Sequence, residues 1–179
     1  AFSYGYDGEA DRLLAQALTG HRADVVLASK VGSHYDGDRQ RVVDGRPETL
    51  LLHAEIAIER LGVEQVDIMY LHQPDPRVPL AESAAGIAEI VQRGWARYAG
   101  VSNVDLDQLQ AFDAVCPVHI VQPPFNMLQQ EAVSSIHAFC QERHIAIAGY
   151  WVLMKGLLAG KLLRDHQFAP RDRRLTYAV

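Results

Sequence analysis

Short apolar runs alternate along this chain with longer stretches whose apolar residues recur at helical spacing. The sharpest run is Val66–Leu71, which leads directly into His72, Gln73, Pro74 and Asp75. An apolar run bounded by polar and proline signals reads as a buried strand that ends where a site begins. Four more runs have the same form: VVLAS runs into Lys30, ARYAGV into Ser102 and Asn103, PVHIV into Gln122, and IAIAG into Tyr150. Between them the spacing predicts helices. Glu9–Leu18 carries Leu13, Leu14, Ala17 and Leu18 before the stop at Gly20. Pro47 opens a helix to about Leu61, with Leu51, Leu52, Ile56 and Leu61 on its apolar side and Gly62 beyond its end. Leu80–Arg93, Leu106–Val115 (capped by Asn103 or Asp105) and Glu131–His144 follow. Gly32–Arg46 reads as a polar loop long enough to face a substrate, and Trp151–Lys161 as a second loop.

Alternating strands and helices predict a parallel sheet covered by helices. A dinucleotide-binding open sheet would carry G-x-G-x-x-G at its first strand–helix turn, and this sequence has none. Polar groups at the ends of five successive strands favour the (β/α)8 TIM barrel, in which every such end reaches one mouth. Such a barrel takes roughly 250 residues. The expectation is therefore a single partial barrel domain over residues 1–179. It holds about five of eight βα units, beginning just after the second strand and stopping after the seventh. Ala1–Gly8 then reads as the exit from a strand, and the sheet edges fall at Val25–Ser29 and Ile145–Gly149.

Composition narrows the function classes. Net charge is −5 and no basic block occurs, which argues against a mainly electrostatic nucleic-acid binder. No apolar run approaches the roughly 20 residues that span a bilayer, and the first residues lack the basic-then-apolar layout of a signal peptide. Cys116 and Cys140 form no CxxC pair and read as buried free thiols of a reducing, cytoplasmic compartment, with a disulfide or a catalytic thiol as the alternatives. A barrel metal hydrolase would want several His, Asp or Glu ligands at strand ends, and only His72 qualifies. The other histidines (His21, His34, His53, His119, His137, His144, His166) form no strand-end pair and read as surface or packing residues. His34 and Tyr35, in the loop after Lys30, are candidates for substrate contact.

Six segments in order carry a resemblance. FSYGYDGEADRLLAQAL looks like the part of the aldo-keto reductases that holds the catalytic tyrosine, ASKVG like the lysine strand end, and RLGVEQVDIMYLHQPD like the histidine strand end. GVSN, VQPPFN and AGYWVLMKGLLAGK are similar to that family's nicotinamide and phosphate segments. Ala1-Phe2-Ser3-Tyr4-Gly5 matches the end of the family pattern Asp-Thr-Ala-x-x-Tyr-Gly, so Tyr4, not Tyr6, is the catalytic tyrosine that the resemblance implies. The family's catalytic Asp would lie just upstream of Ala1 and pair with Lys30. The resemblance also implies Lys30 and His72 as catalytic partners and NADPH as cofactor, with NADH as the alternative. Ser102, Asn103 and Gln122 are implied as carboxamide contacts, Tyr150 as the face for the nicotinamide ring, and the backbone at Trp151 and Leu153 as the pyrophosphate path. The family commonly has Tyr-Ser-Pro-Leu where this chain has Tyr150-Trp151-Val152-Leu153, so the pyrophosphate path or the substrate wall differs here.

The chemistry that follows is reduction of an aldehyde, ketone or sugar carbonyl, or oxidation of the matching alcohol. A phenol with a pKa of about 10 is a poor acid at neutral pH, and a nearby ammonium lowers that value. A second implied reading keeps the same residues without turnover, as in family members that bind nicotinamide and regulate a partner protein.

Overall fold

The computed structural model describes residues 8–163, 165–170 and 172–176. Five helices and seven strands form among them: α1 (Glu9–Ala17), β1 (Ala28–Val31), β2 (Ser33–Tyr35), β3 (Arg41–Val43), α2 (Pro47–Leu61), β4 (Val66–Leu71), α3 (Leu80–Gln92), β5 (Ala96–Ser102), α4 (Leu106–Asp113), β6 (Ile120–Gln122), α5 (Glu131–Arg143) and β7 (Ala146–Ile147). Short 3₁₀ segments occur at Arg22–Asp24, Met154–Ala159 (kinked at Lys155 and Gly156) and Arg173–Thr176.

The main sheet is parallel, with strand order β1-β4-β5-β6-β7. Sequential order with a helix between neighbours is the winding of a (β/α)8 barrel, of which the described residues supply five strands. Val31, Leu71, Val101 and Val121 lie in register across four strands, and all are fully buried. With Met69, Ala99 and the buried faces of the helices they form one core. The alternate residues, Lys30, Tyr70, Gly100 and Ile120, form the next rung on the opposite face.

Local chemistry explains where the helices begin and end. Pro47 occupies the first turn of α2, where no intrahelical N–H is needed, and Gly62 ends it at φ 65°. Asp105 caps α4: its carboxylate accepts from the Gln108 N–H, and the Gln108 side chain accepts from the Asp105 N–H.

Three departures from the sequence reading have physical causes. β1 lies further along than Val25–Ser29, because pairing with β4 starts only at Ala28 opposite Ile68. Val25 and Val26 instead stay exposed, and the Leu27 N–H donates to the Asp67 carboxylate. The polar Gly32–Arg46 stretch holds an antiparallel hairpin, β2 paired with β3, closed by a turn in which the Asp36 carboxylate accepts from the N–H groups of Asp38 and Gln40. Finally, α2 turns a different face inward. Leu50, His53, Ala54, Ala57 and Leu61 are buried, whereas Leu52 is 53% exposed.

Candidate active site

Lys30 is the third residue of β1, in register with Tyr70 on β4. Its Nζ lies 5.3 Å from the Tyr70 ring centroid, a cation–π contact. The ring has room because its neighbour across β5 is Gly100: a Cβ there would fall 2.5 Å from Tyr70 Cδ1. Burial pushes the Lys30 ammonium down from its ordinary value and the Tyr70 phenol up.

At the strand ends the site becomes polar. His72 follows β4 directly, Ser102 ends β5, and Gln122 ends β6 in register with Ser102. Ser102 Oγ donates to the Gln122 carbonyl at 2.8 Å. Asn103 adopts φ 61°, a left-handed conformation that asparagine tolerates better than most residues. From there its Nδ2 donates to the His72 carbonyl at 2.8 Å and to Ser102 Oγ at 3.1 Å. The Tyr150 hydroxyl donates to Asn103 Oδ1 at 2.6 Å. One hydrogen-bond chain thus joins Tyr150, Asn103, Ser102, Gln122 and the His72 backbone across the mouth of the sheet.

The His72 ring is buried, and its pKa is pushed down to about 3 by that burial, then by the positive charges of Arg41 and Lys30. At neutral pH it is an uncharged imidazole, able to donate one N–H and accept at the other nitrogen.

Trp151 and Leu153 belong to the loop after Tyr150 and stand outside this chain of bonds, with 43% and 57% of their surfaces exposed. Lys155 Nζ sits 3.8 Å from the Trp151 ring centroid, and the Trp151 carbonyl accepts from Asn126 Nδ2 at 3.4 Å. Left-handed backbone at Trp151, Met154, Lys155 and Gly156 folds this loop on itself: the Trp151 carbonyl accepts from the Met154 N–H, and the Leu153 carbonyl from the N–H groups of Gly156 and Leu158. Tyr4 lies outside the described residues. Of the sequence candidates, Lys30, His72, Ser102, Asn103, Gln122 and Tyr150 therefore come together at one end of the sheet, and Trp151 and Leu153 adjoin them.

Sequence reasoning passed over Tyr70 and Gly100. Tyr70 stands two residues before His72 and so shares its face of the strand, and a glycine inside a strand marks a close approach. Both signals were available.

A sequence model described as the Aldo/keto reductase family matches residues 1–177. The aldo-keto reductase YhdN of Bacillus subtilis is 30% identical over 174 residues, covering 96% of this chain and 52% of that protein. The solved structure of a glycerol dehydrogenase from Gluconobacter oxydans superposes with a TM-score of 0.86 at 30% identity, covering 93% of this chain and 52% of the other. That of an aldo-keto reductase from Klebsiella pneumoniae in complex with NADPH superposes with a TM-score of 0.71 at 26% identity, covering 89% of this chain and 52% of the other. The chain spans about half the length of the curated relatives it matches.

Proposed function

The chain belongs to the aldo/keto reductase family, and from that premise we propose that it forms the catalytic half of an NAD(P)H-dependent oxidoreductase of small carbonyl compounds. Substrates are aldehydes, ketones or sugar carbonyls, or the matching alcohols in the reverse direction. The observation that supports this reading is the placement of Lys30 and the neutral His72 ring at the ends of adjacent strands, near enough for the Lys30 charge to act on the ring, beside the Asn103–Ser102–Tyr150 bonds.

The donor set suits a nicotinamide. Asn103, Ser102 and Gln122 present amide and hydroxyl groups of the kind that pair with a carboxamide, and the half-buried Tyr150 offers a ring face. The loop at the exposed residues Trp151 and Leu153 would line the pyrophosphate path. NADPH is the proposed cofactor, with NADH as the alternative. When bound, the nicotinamide supplies or accepts the hydride.

The protein's own residues handle the proton and the substrate oxygen. Tyr4 gives its phenolic proton to the oxygen that becomes the alcohol. Lys30 lowers the cost of the phenolate that remains, the more so because its ammonium is partly desolvated. His72, held neutral, donates an N–H to the same oxygen and orients the carbonyl.

Tyr4→Phe in the intact protein tests this directly. The expected result is a fall in kcat/KM for aldehyde reduction of about 10²- to 10⁴-fold, with NADPH binding, followed by fluorescence quenching, nearly unchanged. Undiminished turnover would assign the acid to another residue. Failure of the wild-type protein to reduce any of a panel of aldehydes while still binding NADPH would favour a regulatory subunit. The two buried free cysteines suit a cytoplasmic protein, and among the described residues no helix is long and apolar enough to cross a membrane.

A further inference from the structure

The β2–β3 hairpin carries an arginine for which the proposed reaction has so far given no use. Arg41, the first residue of β3, projects from the hairpin onto the exit of β4. Its Nε donates to Ser33 Oγ at 2.8 Å and its Nη2 to Gln73 Oε1 at 3.1 Å. Ser33 lies three residues past Lys30, and Gln73 is the residue after His72. Both partners are neutral, and among the described residues no carboxylate lies within 4 Å of this guanidinium. The charge is felt at the site, since Arg41 is the largest charged contribution to the lowered pKa of His72.

Nearby carboxylates are already engaged elsewhere. Asp44 pairs with Arg46 at 2.6 Å and accepts from Thr49 Oγ1 at 3.0 Å. Asp75 pairs with Arg77 at 2.9 Å and accepts from the Gly45 N–H at 3.2 Å. Asp36 serves the hairpin turn through the N–H groups of Asp38 and Gln40. The hairpin that presents Arg41 is itself fixed in place. Arg77 Nη2 donates to the Val43 carbonyl at 2.5 Å, and Ser83 Oγ donates to the Gly45 carbonyl at 2.7 Å. A guanidinium held by two neutral acceptors, beside the catalytic histidine, keeps its Nη1 edge for an anion. Little ordering cost remains to be met on binding.

We infer that Arg41 is a specificity-determining residue, which binds a carboxylate carried by the substrate while the reacting carbonyl lies against His72. The preferred substrates are therefore carboxylate-bearing aldehydes and ketones. A single guanidinium edge matches the single charge of a carboxylate. This inference rests on the carbonyl-reducing site proposed above.

The test compares 4-carboxybenzaldehyde with benzaldehyde in the intact wild-type protein and in Arg41→Met and Arg41→Lys. In the wild type, kcat/KM favours 4-carboxybenzaldehyde. In Arg41→Met that preference falls about ten- to hundredfold, the range expected for losing one or two charge-assisted hydrogen bonds, and the loss is in KM rather than kcat. Arg41→Lys restores part of it. A preference unchanged in Arg41→Met overturns the inference, as does an equal loss for both aldehydes together with a raised KM for NADPH, which would place Arg41 on the cofactor. Calorimetry keeps the inference separate from the reaction. Benzoate binds the wild type more tightly than benzamide does, and Arg41→Met abolishes the difference. If neither aldehyde is reduced, the functional reading fails, and the benzoate comparison still decides the role of Arg41.

Discussion

His72 and His53 lie in different parts of the chain, yet burial acts on both in the same way. His53 sits on the inward face of α2, where its Nδ1 accepts from the Gly32 N–H at 3.3 Å and its ring meets His34 edge-on at 5.1 Å. Burial, then the neighbouring His34, pushes its pKa down to about 4 from an ordinary 6.5. A proton on Nδ1 would also break the bond to Gly32. For both rings the folded state binds fewer protons than the unfolded chain between the lowered value and 6.5. Neither costs stability above pH 6.5, and the cost grows as pH falls toward the folded values. The slope approaches about 1.4 kcal/mol per pH unit for each ring. Asp75, held down to about 2 by Arg77, works in the same direction only below the ordinary carboxylate value of 3.8. Urea midpoints measured at pH 7.5, 6 and 5 should therefore fall in that order, and His53→Asn should flatten the decline. A midpoint independent of pH over this interval would mean that these rings protonate freely in the folded state.

Among the elements, α2 gives the clearest contrast between two readings. Its sequence offers Leu50, Leu51 and Leu52 in a row, and spacing places Leu51, Leu52, Ile56 and Leu61 on the apolar side. The structure buries Leu50 fully and leaves Leu52 half exposed, because Ala54, Ala57 and Leu61 continue the Leu50 stripe against the sheet. Leu50→Ala should cost about 2–5 kcal/mol in denaturant unfolding, and Leu52→Ala should stay within about 0.5 kcal/mol. Comparable losses would contradict the observed face. The bounds of β4 and α2 were legible to the residue because each has a physical stop: the polar His72-Gln73-Pro74 in one case, Pro47 and Gly62 in the other. β1 was misplaced because Val25, Val26 and Leu27 are as strand-like as the residues that pair, and only the partner strand decides. The β2–β3 hairpin was hidden because three-residue strands rich in polar groups carry no alternation to read. Arg41 was hidden with it. That Lys30, His72, Ser102, Asn103 and Gln122 lie at one end of the sheet was legible because a parallel sheet must bring such strand ends to one side. The bonds that join them depend on the left-handed turn at Asn103, which spacing does not disclose.

At the scale of the whole molecule, β1 and β7 each pair on one side only among the described strands. The inner face of the sheet is also open in places, with Tyr98 43% exposed. Unpaired parallel edges and apolar surface favour pairing with another chain. The 179-residue chain expressed by itself should associate in a concentration-dependent manner, measurable by light scattering in the micromolar range. A monodisperse monomer would show that its edges are protected. The bonds across the site are less exposed to such effects, since Arg77 Nη2 donates to the Val43 carbonyl and the Asp75 carboxylate accepts from the Gly45 N–H, fastening the hairpin end to the β4 exit from within the chain.

The bare backbone at Gly100 lets one aromatic ring lie flat beneath the lysine. Residues 70 and 100 therefore cannot drift independently: a methyl group gained on one strand must be matched by bulk surrendered on its neighbour, or the ammonium loses its seat. Across related sequences the two positions should change as a pair, so that a shape constraint in the floor leaves its trace on the chemistry above.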